Sequence, residues 1–173
     1  MSEEVRAALF ARRVVMVAGP VDLVRAGEVA AELLTLDALG DDPVRLRLEG
    51  HSGSLDAAFS LMDVIDSMGV PVHVTCSGSV SGTLVGILAV AERREIAPHA
   101  RLRLCEPEDS FGGRAVDVAA RVAHEQKRLE AFQRRLAERT NRPLEHIEAD
   151  MQIGRFLSAE DAVAYGLADA VSG

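Results

Sequence analysis

The sequence predicts an α/β domain built on a parallel β-sheet, because short β-branched segments alternate along it with amphipathic helical segments. In the first such unit, the run Arg-Val-Val-Met-Val at residues 13–17 is ended by Gly19-Pro20, which is typical of a strand followed by a turn. Residues 22–39 then carry apolar side chains at helical spacing. Repeated strand–helix units favour parallel strands joined by right-handed crossovers. A length of 173 residues suits one domain, which we expect to span residues 1–173.

The same alternation predicts the remaining elements. After the strand at 13–17, strands are expected at residues 44–48, 71–76 and 101–104. After the helix at 22–39, helices are expected at residues 55–68, 83–91 and 115–139, from Pro143 onward, and from the N-cap Ser158 to Gly166. No linker, low-complexity tract or sequence repeat interrupts this series, which supports a single domain.

Composition and charge argue against several classes of partner. A net charge of −8 disfavours nucleic acids and anionic membrane surfaces, because both need an excess of Lys and Arg. No segment reaches the roughly 18 apolar residues that span a bilayer, and residues 1–10 lack the long apolar run of a signal peptide. The two cysteines, Cys76 and Cys105, are too few for a disulfide framework or a zinc cluster. We therefore expect a soluble, cytoplasmic protein without a metal or cofactor.

The predicted helix at 115–139 is unusually long and charged for a crossover between two strands. Its apolar residues lie on one face, and they are Val118, Val122, Leu129, Phe132 and Leu136. Such a stripe is compatible with two roles, a second layer of the core or a contact between subunits, and the residues alone leave both open.

Two strand-to-helix junctions have the composition of anion-binding turns. Gly-His-Ser-Gly-Ser at residues 50–54 precedes one predicted helix, and Ser81-Gly82-Thr83 precedes the next. Small residues let backbone N–H groups face a ligand, and the helix dipole favours negative charge there. Each turn alone is also compatible with ordinary tight packing. Two of them, separated by one strand–helix unit, favour the oxyanion-binding site of a hydrolase.

The closing segment and the order of the motifs carry a family resemblance. Residues 155–167 read Arg-Phe-Leu-Ser-Ala-Glu-Asp-Ala-Val-Ala-Tyr-Gly-Leu, and Asp169 follows. Earlier in the chain come the turn at 50–54, Cys76-Ser77-Gly78, Pro98-His99-Ala100-Arg101, Glu106-Pro107 and Gly112-Gly113. In this order they resemble the Clp protease proteolytic subunit (ClpP) family, within the ClpP/crotonase fold, from about Val14 to the C-terminus.

This resemblance implies a particular architecture. The α/β domain would be a spiral of repeated β-α units with a protruding handle helix. The head would comprise residues 14–106 and 143–173, and the handle residues 107–140. In the family, two heptameric rings stack through their handles. In this chain the handle contact would be formed by the apolar stripe of the long helix and by Phe111, Gly112 and Gly113, which precede the helix.

Because ClpP subunits are serine peptidases, the resemblance also indicates where a catalytic triad should lie. Matching the family motifs places the nucleophile at Gly82, the base at Cys105 and the acid at Gly154. All three positions have lost the required chemistry, so no intact catalytic residue is expected. The backbone N–H groups of Gly53 and Thr83 would still line an oxyanion hole, because backbone donors do not depend on the lost side chains.

A relocated nucleophile is the alternative enzyme hypothesis. Ser79 and Ser81 lie near the family's nucleophile position, and His51 in the glycine turn is the candidate base. At the start of a helix, a shift of one residue turns a side chain by about 100°, which predicts that Ser81 points away from the oxyanion pocket. Cys105 is a further candidate as a thiolate, whereas His99 is expected at the surface.

Taken together, the residues and the resemblance favour a catalytically inactive ClpP-like subunit. It would be a structural or regulatory ring component that assembles with itself or with catalytic ClpP paralogues. Docking of a Clp ATPase unfoldase is not favoured, because the N-terminal segment lacks an axial-loop pattern. Two alternatives remain, a hydrolase with a relocated nucleophile and a crotonase-like module that binds an acyl thioester, although no pattern typical of adenine or pyrophosphate binding is visible.

Overall fold

A computed structural model of the protein describes residues 2–108 and 114–173. The helices are α1 (Glu3–Phe10), α2 (Leu23–Ala38), α3 (Leu55–Ser67), α4 (Ile87–Val90), α5 (Ala115–Thr140), α6 (Leu144–Ile153) and α7 (Ala159–Tyr165), with a 3₁₀ turn at Thr83–Gly86. The strands are β1 (Val14–Pro20), β2 (Val44–Ser52), β3 (Val72–Gly82), β4 (Arg93–Ile96), β5 (Arg101–Arg103), β6 (Phe156–Leu157) and β7 (Ala170–Val171). The predicted α/β class and its mostly parallel sheet are confirmed.

The sheet branches at β3, which is the longest strand. The main path runs β1-β2-β3-β4-β7, and all its neighbouring pairs are parallel. The first part of β3 pairs with β4, whereas its last part, Ser79–Ser81, pairs with β5. The short strand β6 lies antiparallel against β5. This branching brings the carboxyl ends of β2, β3 and β5 together at one edge.

Several predicted boundaries were wrong for an identifiable reason. The sequence predicts turns at 50–54 and 81–83, but residues 50–52 and 81–82 continue the parallel ladder as the ends of β2 and β3. A register shift between Leu48 and Gly50 absorbs the irregularity. The predicted helix at 83–91 is instead a 3₁₀ turn followed by the single turn α4. The short elements α1, β4, β6 and β7 were not predicted.

Capping side chains fix the starts of the helices that were predicted well. Asp22 accepts a hydrogen bond from the Arg25 amide at the start of α2, at 2.8 Å. Ser158 and Asp161 form a capping box at the start of α7, and Gly166 ends that helix. The inner face of α2 buries Ala26, Val29, Ala30, Leu33 and Leu36 over β1 and β2, in the main core.

The long helix α5 divides into two parts. In its C-terminal half, Phe132 and Leu136 are fully buried, and the Phe132 ring packs edge-on to Phe59 at 6.2 Å between centroids. This close packing needs Gly86, because a Cβ there would lie 2.4 Å from the Phe132 ring. In the N-terminal half, Val122 is exposed. One half of the stripe therefore belongs to the core, and the other half faces outward.

Ion pairs hold the buried half of α5 against α3. Arg128 bridges to Asp56 at 2.6 Å, and Arg135 bridges to Asp66 at 2.8 Å.

The outward half of α5 carries the rest of the predicted stripe. Val118 is half-buried there, and Leu129, where this half ends, packs at the edge of the core. The proposed handle residues Phe111, Gly112 and Gly113 lie outside the described residues.

Substitutions on α5 should reveal this division directly. Phe132→Ala should lower the free energy of unfolding by about 3–5 kcal/mol, because it leaves a cavity in the core. The control Val122→Ala on the same helix should change it by less than about 0.5 kcal/mol. Urea denaturation followed by circular dichroism measures both. Equal effects of the two substitutions would contradict the division.

A buried arginine ties the last strand to the sheet. Arg94, which is only 7% exposed, pairs through its guanidinium with Asp169, and its Nη1 donates to the Gly166 carbonyl at 2.6 Å. The Arg94 amide also donates to the Asp169 carboxylate, at 2.7 Å. Burial alone would raise the pKa of Asp169, but the hydrogen bonds and charge of Arg94 outweigh it and lower that pKa below its ordinary value.

The Arg94–Asp169 pair should therefore make stability depend on pH. At neutral pH, Asp169→Asn should cost about 1–3 kcal/mol, because it weakens charge-assisted hydrogen bonds to a buried cation. A carboxylate with a lowered pKa stabilises the fold above the ordinary value of about 4, and this stability is lost as the pH falls through the folded pKa. Urea titrations should thus show the gap between wild type and variant narrowing below about pH 4.

The matched control is Asp66→Asn, because the Asp66–Arg135 pair is exposed on both sides. It should cost less than about 1 kcal/mol. A gap between wild type and Asp169→Asn that stays constant from neutral to acid pH would contradict the role assigned to the Asp169 carboxylate.

Candidate functional site

The carboxyl ends of β2, β3 and β5 surround a cavity of about 340 Å³. Ligands of open parallel sheets commonly bind at this edge. Its walls are formed by His51, Ser52, Gly53, Ser81, Gly82, Arg103, Cys105, Glu106 and Glu108. Most of the candidate residues predicted from the sequence thus meet in one place, although they come from separate segments of the chain.

Three of the predicted site residues do not line this cavity. Ser79 is half-buried and lies in β3, two residues before Ser81. Gly154 ends helix α6 with a positive φ of 70°. Thr83 is completely buried, and its hydroxyl contacts the carbonyl oxygens of Ser52 and Ser54 at 3.2 Å and 2.8 Å. The Thr83 side chain therefore fastens the 52–54 turn to the end of β3, independently of any role of the Thr83 amide as an oxyanion donor.

The nucleophile position has no side chain and no room for one. Gly82 has φ 66° and ψ −142°, a backbone conformation that L-residues rarely adopt. A Cβ at this position would lie 2.1 Å from the Ser52 carbonyl oxygen. Serine could occupy position 82 only if the backbone of β2 or β3 shifted.

Ser81 lies on the wall of the cavity, which corrects the prediction that it points away. The expected helical rotation does not apply, because Ser81 is the penultimate residue of strand β3. It is paired with His51 on β2 and with Arg103 on β5. Laterally paired residues of a sheet share a face, so the three side chains form one row. Ser81 is half-buried and His51 is exposed, and no hydrogen bond joins them in the described chain.

A cation lies where the resemblance implies the acid of a triad. The Arg103 Nη2 atom is 3.0 Å from the position of a Cβ on Gly154. The Arg103 guanidinium also lies over the Phe156 ring, 5.1 Å from its centroid. Arg103, Glu106 and Glu108 also line the cavity and were not predicted as site residues. The sequence did contain a signal for Arg103. It lies on a predicted strand, two residues before the candidate Cys105, so its side chain could be expected near the same site.

The two cysteines lie in different environments. Cys76 is buried in the sheet, and burial raises the pKa of its thiol to about 12. Cys105 is half-buried and lines the cavity, and both thiols are free. Because the thiolate is the reactive form, Cys76 is inert and Cys105 is the accessible thiol. His99 is exposed at the surface, as predicted.

Two further surveys of the described residues bear on function. Within residues 2–108 and 114–173 there is no group of three His, Cys, Asp or Glu side chains arranged to hold a metal ion. Across the same ranges, no helix combines the length and the apolar character needed to cross a bilayer.

The fold and the site together define an α/β protein with a hydrolase-type turn at the carboxyl edge of a parallel sheet and a long, partly projecting helix. The model of the Clp protease family matches residues 1–173. ATP-dependent Clp protease proteolytic subunit 3 of Rhizobium etli is 30% identical over 169 residues, which are 96% of this chain and 87% of the relative. The chain belongs to the Clp protease family, a family of protease subunits that form oligomeric rings.

The crowding around Gly82 can be tested by introducing the family's nucleophile. Gly82→Ser should destabilise the fold by about 1–3 kcal/mol or more, because it forces a strained backbone against the Ser52 carbonyl. It should also fail to create a serine that reacts with a fluorophosphonate. Thermal unfolding and probe labelling measure the two effects.

The matched control is Gly27→Ser on the exposed face of α2, where an added Cβ meets no atom within 4 Å. That change should stabilise the helix slightly, by up to about 0.5 kcal/mol. A stable Gly82→Ser protein that reacts with the probe would show that position 82 has room for a working nucleophile.

Proposed function

We propose that this chain is a catalytically inactive ClpP-like subunit, a structural or regulatory component of a ring-shaped Clp-type peptidase assembly. The observation that carries the proposal is Gly82. At the position of the nucleophile there is no side chain, and the Ser52 carbonyl occupies the space that a Cβ would need.

The other two triad positions support the same conclusion. Cys105 stands on the cavity wall where the resemblance places the histidine base. Gly154 replaces the acid, and the Arg103 guanidinium fills the space beside it. A carboxylate that orients a base is thus replaced by a cation, which would disfavour a protonated base in this cavity. The chain would not assemble a charge-stabilised triad here.

The glycine turn and the long helix support a role in the assembly. Gly53 still lies on the cavity wall, in a turn fastened by the Thr83 hydroxyl, and its amide and that of Thr83 are the candidate oxyanion donors. The outward half of α5, with Val118 and Val122, would act as the handle between stacked rings. The head would comprise residues 14–106 and 143–173 and the handle residues 107–140. The subunit would form homo-oligomers, or hetero-oligomers with catalytic ClpP paralogues in the cytoplasm.

One observation favours a second candidate function, a hydrolase with a relocated nucleophile. Ser81 and His51 are direct register partners on β3 and β2, and both line the cavity that contains Gly53. His51 would take the Ser81 proton as the hydroxyl attacks a carbonyl. Among the described residues, no third group hydrogen-bonds to the His51 imidazole to orient it, which ranks this candidate second.

Probe labelling separates the two candidates. We expect the purified chain to show no labelling by a fluorophosphonate and no turnover of fluorogenic peptides, while a catalytic paralogue shows both under the same conditions. Ser81→Ala and Cys105→Ala are the matched variants. Labelling or turnover that one of these substitutions abolishes would establish the relocated nucleophile and overturn the proposal.

Native mass spectrometry tests the assembly role. We expect the chain to form ring-sized oligomers alone or after mixing with a catalytic ClpP paralogue. The peptidase activity of the mixed ring per catalytic subunit then shows whether the role is regulatory. A chain that stays monomeric both alone and with the paralogue would rule out a ring component.

A further inference from the structure

The cavity at the carboxyl ends of β2, β3 and β5 carries charges of both signs. The cation is Arg103, and the carboxylates are those of Glu106 and Glu108. All three side chains are exposed. Within the described parts of the chain, none of them makes an ion pair or a side-chain hydrogen bond. These charges therefore face any ligand that enters the cavity.

Two contacts position the Arg103 guanidinium without neutralising it. Its central carbon lies 5.1 Å from the centroid of the Phe156 ring, and an aromatic face attracts a cation but leaves its charge in place. Its Nη2 atom lies beside Gly154, where a Cβ would be 3.0 Å away, so the glycine leaves room for the guanidinium. A planar guanidinium presents paired N–H donors that match the two oxygens of a carboxylate.

The carboxylate of Glu108 lies on a residue at the opposite side of the cavity. The Glu108 backbone packs against Gly53, because a Cβ on Gly53 would lie 3.3 Å from the Glu108 amide nitrogen. Gly53 directly follows β2, whereas Arg103 lies on β5, and β3 runs between these two strands. Two strand spacings amount to about 10 Å. The cavity is thus cationic on its β5 side and anionic beside the β2 turn.

This distribution of charge selects a ligand that carries both signs. A ligand with only a carboxylate would be repelled by Glu106 and Glu108, and one with only a cation would be repelled by Arg103. The cavity volume of about 340 Å³ lies in the range of small-ligand sites. A basic residue with a free α-carboxylate has its two opposite charges at the ends of a long, flexible side chain, which suits such a cavity.

We propose that this cavity binds a basic residue with a free α-carboxylate, either at the C-terminus of a peptide that ends in arginine or lysine or as the free amino acid. Arg103 binds the α-carboxylate, and Glu106 and Glu108 bind the cationic side chain. The inference rests on the proposed function in that the ligand is held and not cleaved. It adds the ligand class of the same site and the residues that select it.

Isothermal titration calorimetry of the full chain at low salt provides the first test. The probes are the tetrapeptide Ala-Ala-Ala-Arg, its C-terminal amide and tetraalanine. Ala-Ala-Ala-Arg should bind about tenfold more tightly than either of the other two, because each of them lacks one charged contact. Free arginine distinguishes the two sources of the ligand. Binding as tight as that of the peptide assigns the site to the amino acid, and weaker binding assigns it to peptide ends.

Variants assign each charge to its partner. Arg103→Gln should weaken the binding of Ala-Ala-Ala-Arg about tenfold and leave the binding of its amide unchanged, because the amide has no carboxylate to lose. Glu106→Gln/Glu108→Gln should weaken Ala-Ala-Ala-Arg but not tetraalanine. The matched control is Arg101→Gln on the same strand, which is exposed but does not line the cavity, and it should bind as wild type. Circular dichroism verifies that each variant is folded.

The outcomes separate this inference from the proposed function. Equal binding of the acid and the amide, or no binding of any probe, would overturn the inference and leave the proposed function standing. An equal loss of both peptides in Arg103→Gln would overturn the role given to Arg103. Mass spectrometry of the peptides recovered after titration should find them intact. Cleaved peptides would contradict the proposed function itself.

Discussion

The pairing of β2 with β3 to the very end of both strands is the constraint on which the candidate site depends. The ladder continues to Ser52 and Gly82, so the Ser52 carbonyl is held against the Gly82 backbone. The Thr83 hydroxyl then binds the carbonyls of Ser52 and Ser54 and holds the following turn to the same place. This network holds the turn at 52–54 in place and at the same time removes the space for a side chain at position 82. The fixed turn and the crowding at Gly82 have one structural cause.

The long helix α5 shows how one apolar stripe can serve two purposes. Phe132 and Leu136 complete the core against α3 and α4, and the ion pairs of Arg128 and Arg135 fix that half of the helix. The half before them leaves Val122 exposed. The buried half anchors the projecting half, so a contact made at the projecting end is mechanically linked to the core below the candidate site.

The sequence predicted the fold class and most long elements, because their signals are local. The apolar spacing of α2 and the capping residue Ser158 depend only on near neighbours in the chain. The ends of β2 and β3 could not be predicted, because small residues that favour turns are held extended by pairing with each other. The strands β6 and β7 have two residues each and exist only through their partners.

The sequence predicted which positions belong to the candidate site, but it did not predict which side chains surround them. The resemblance located Gly82, Cys105 and Gly154, whereas the contact between Arg103 and Gly154 depends on how two distant segments pack. The orientation of Ser81 followed from its strand register rather than from its distance from position 82. The sequence also could not predict what covers the second face of the sheet. The alternation of apolar and polar residues shows only that one face is buried.

The different environments of the two thiols give this chain a natural reporter. Cys76 is sealed in the sheet, while Cys105 opens into the cavity between the ends of the strands. A maleimide dye or spin label added to the unmodified protein would therefore attach at a single known position. Its emission or spectral line shape would follow occupancy of the cavity and the arrival of neighbouring subunits, without any engineered cysteine.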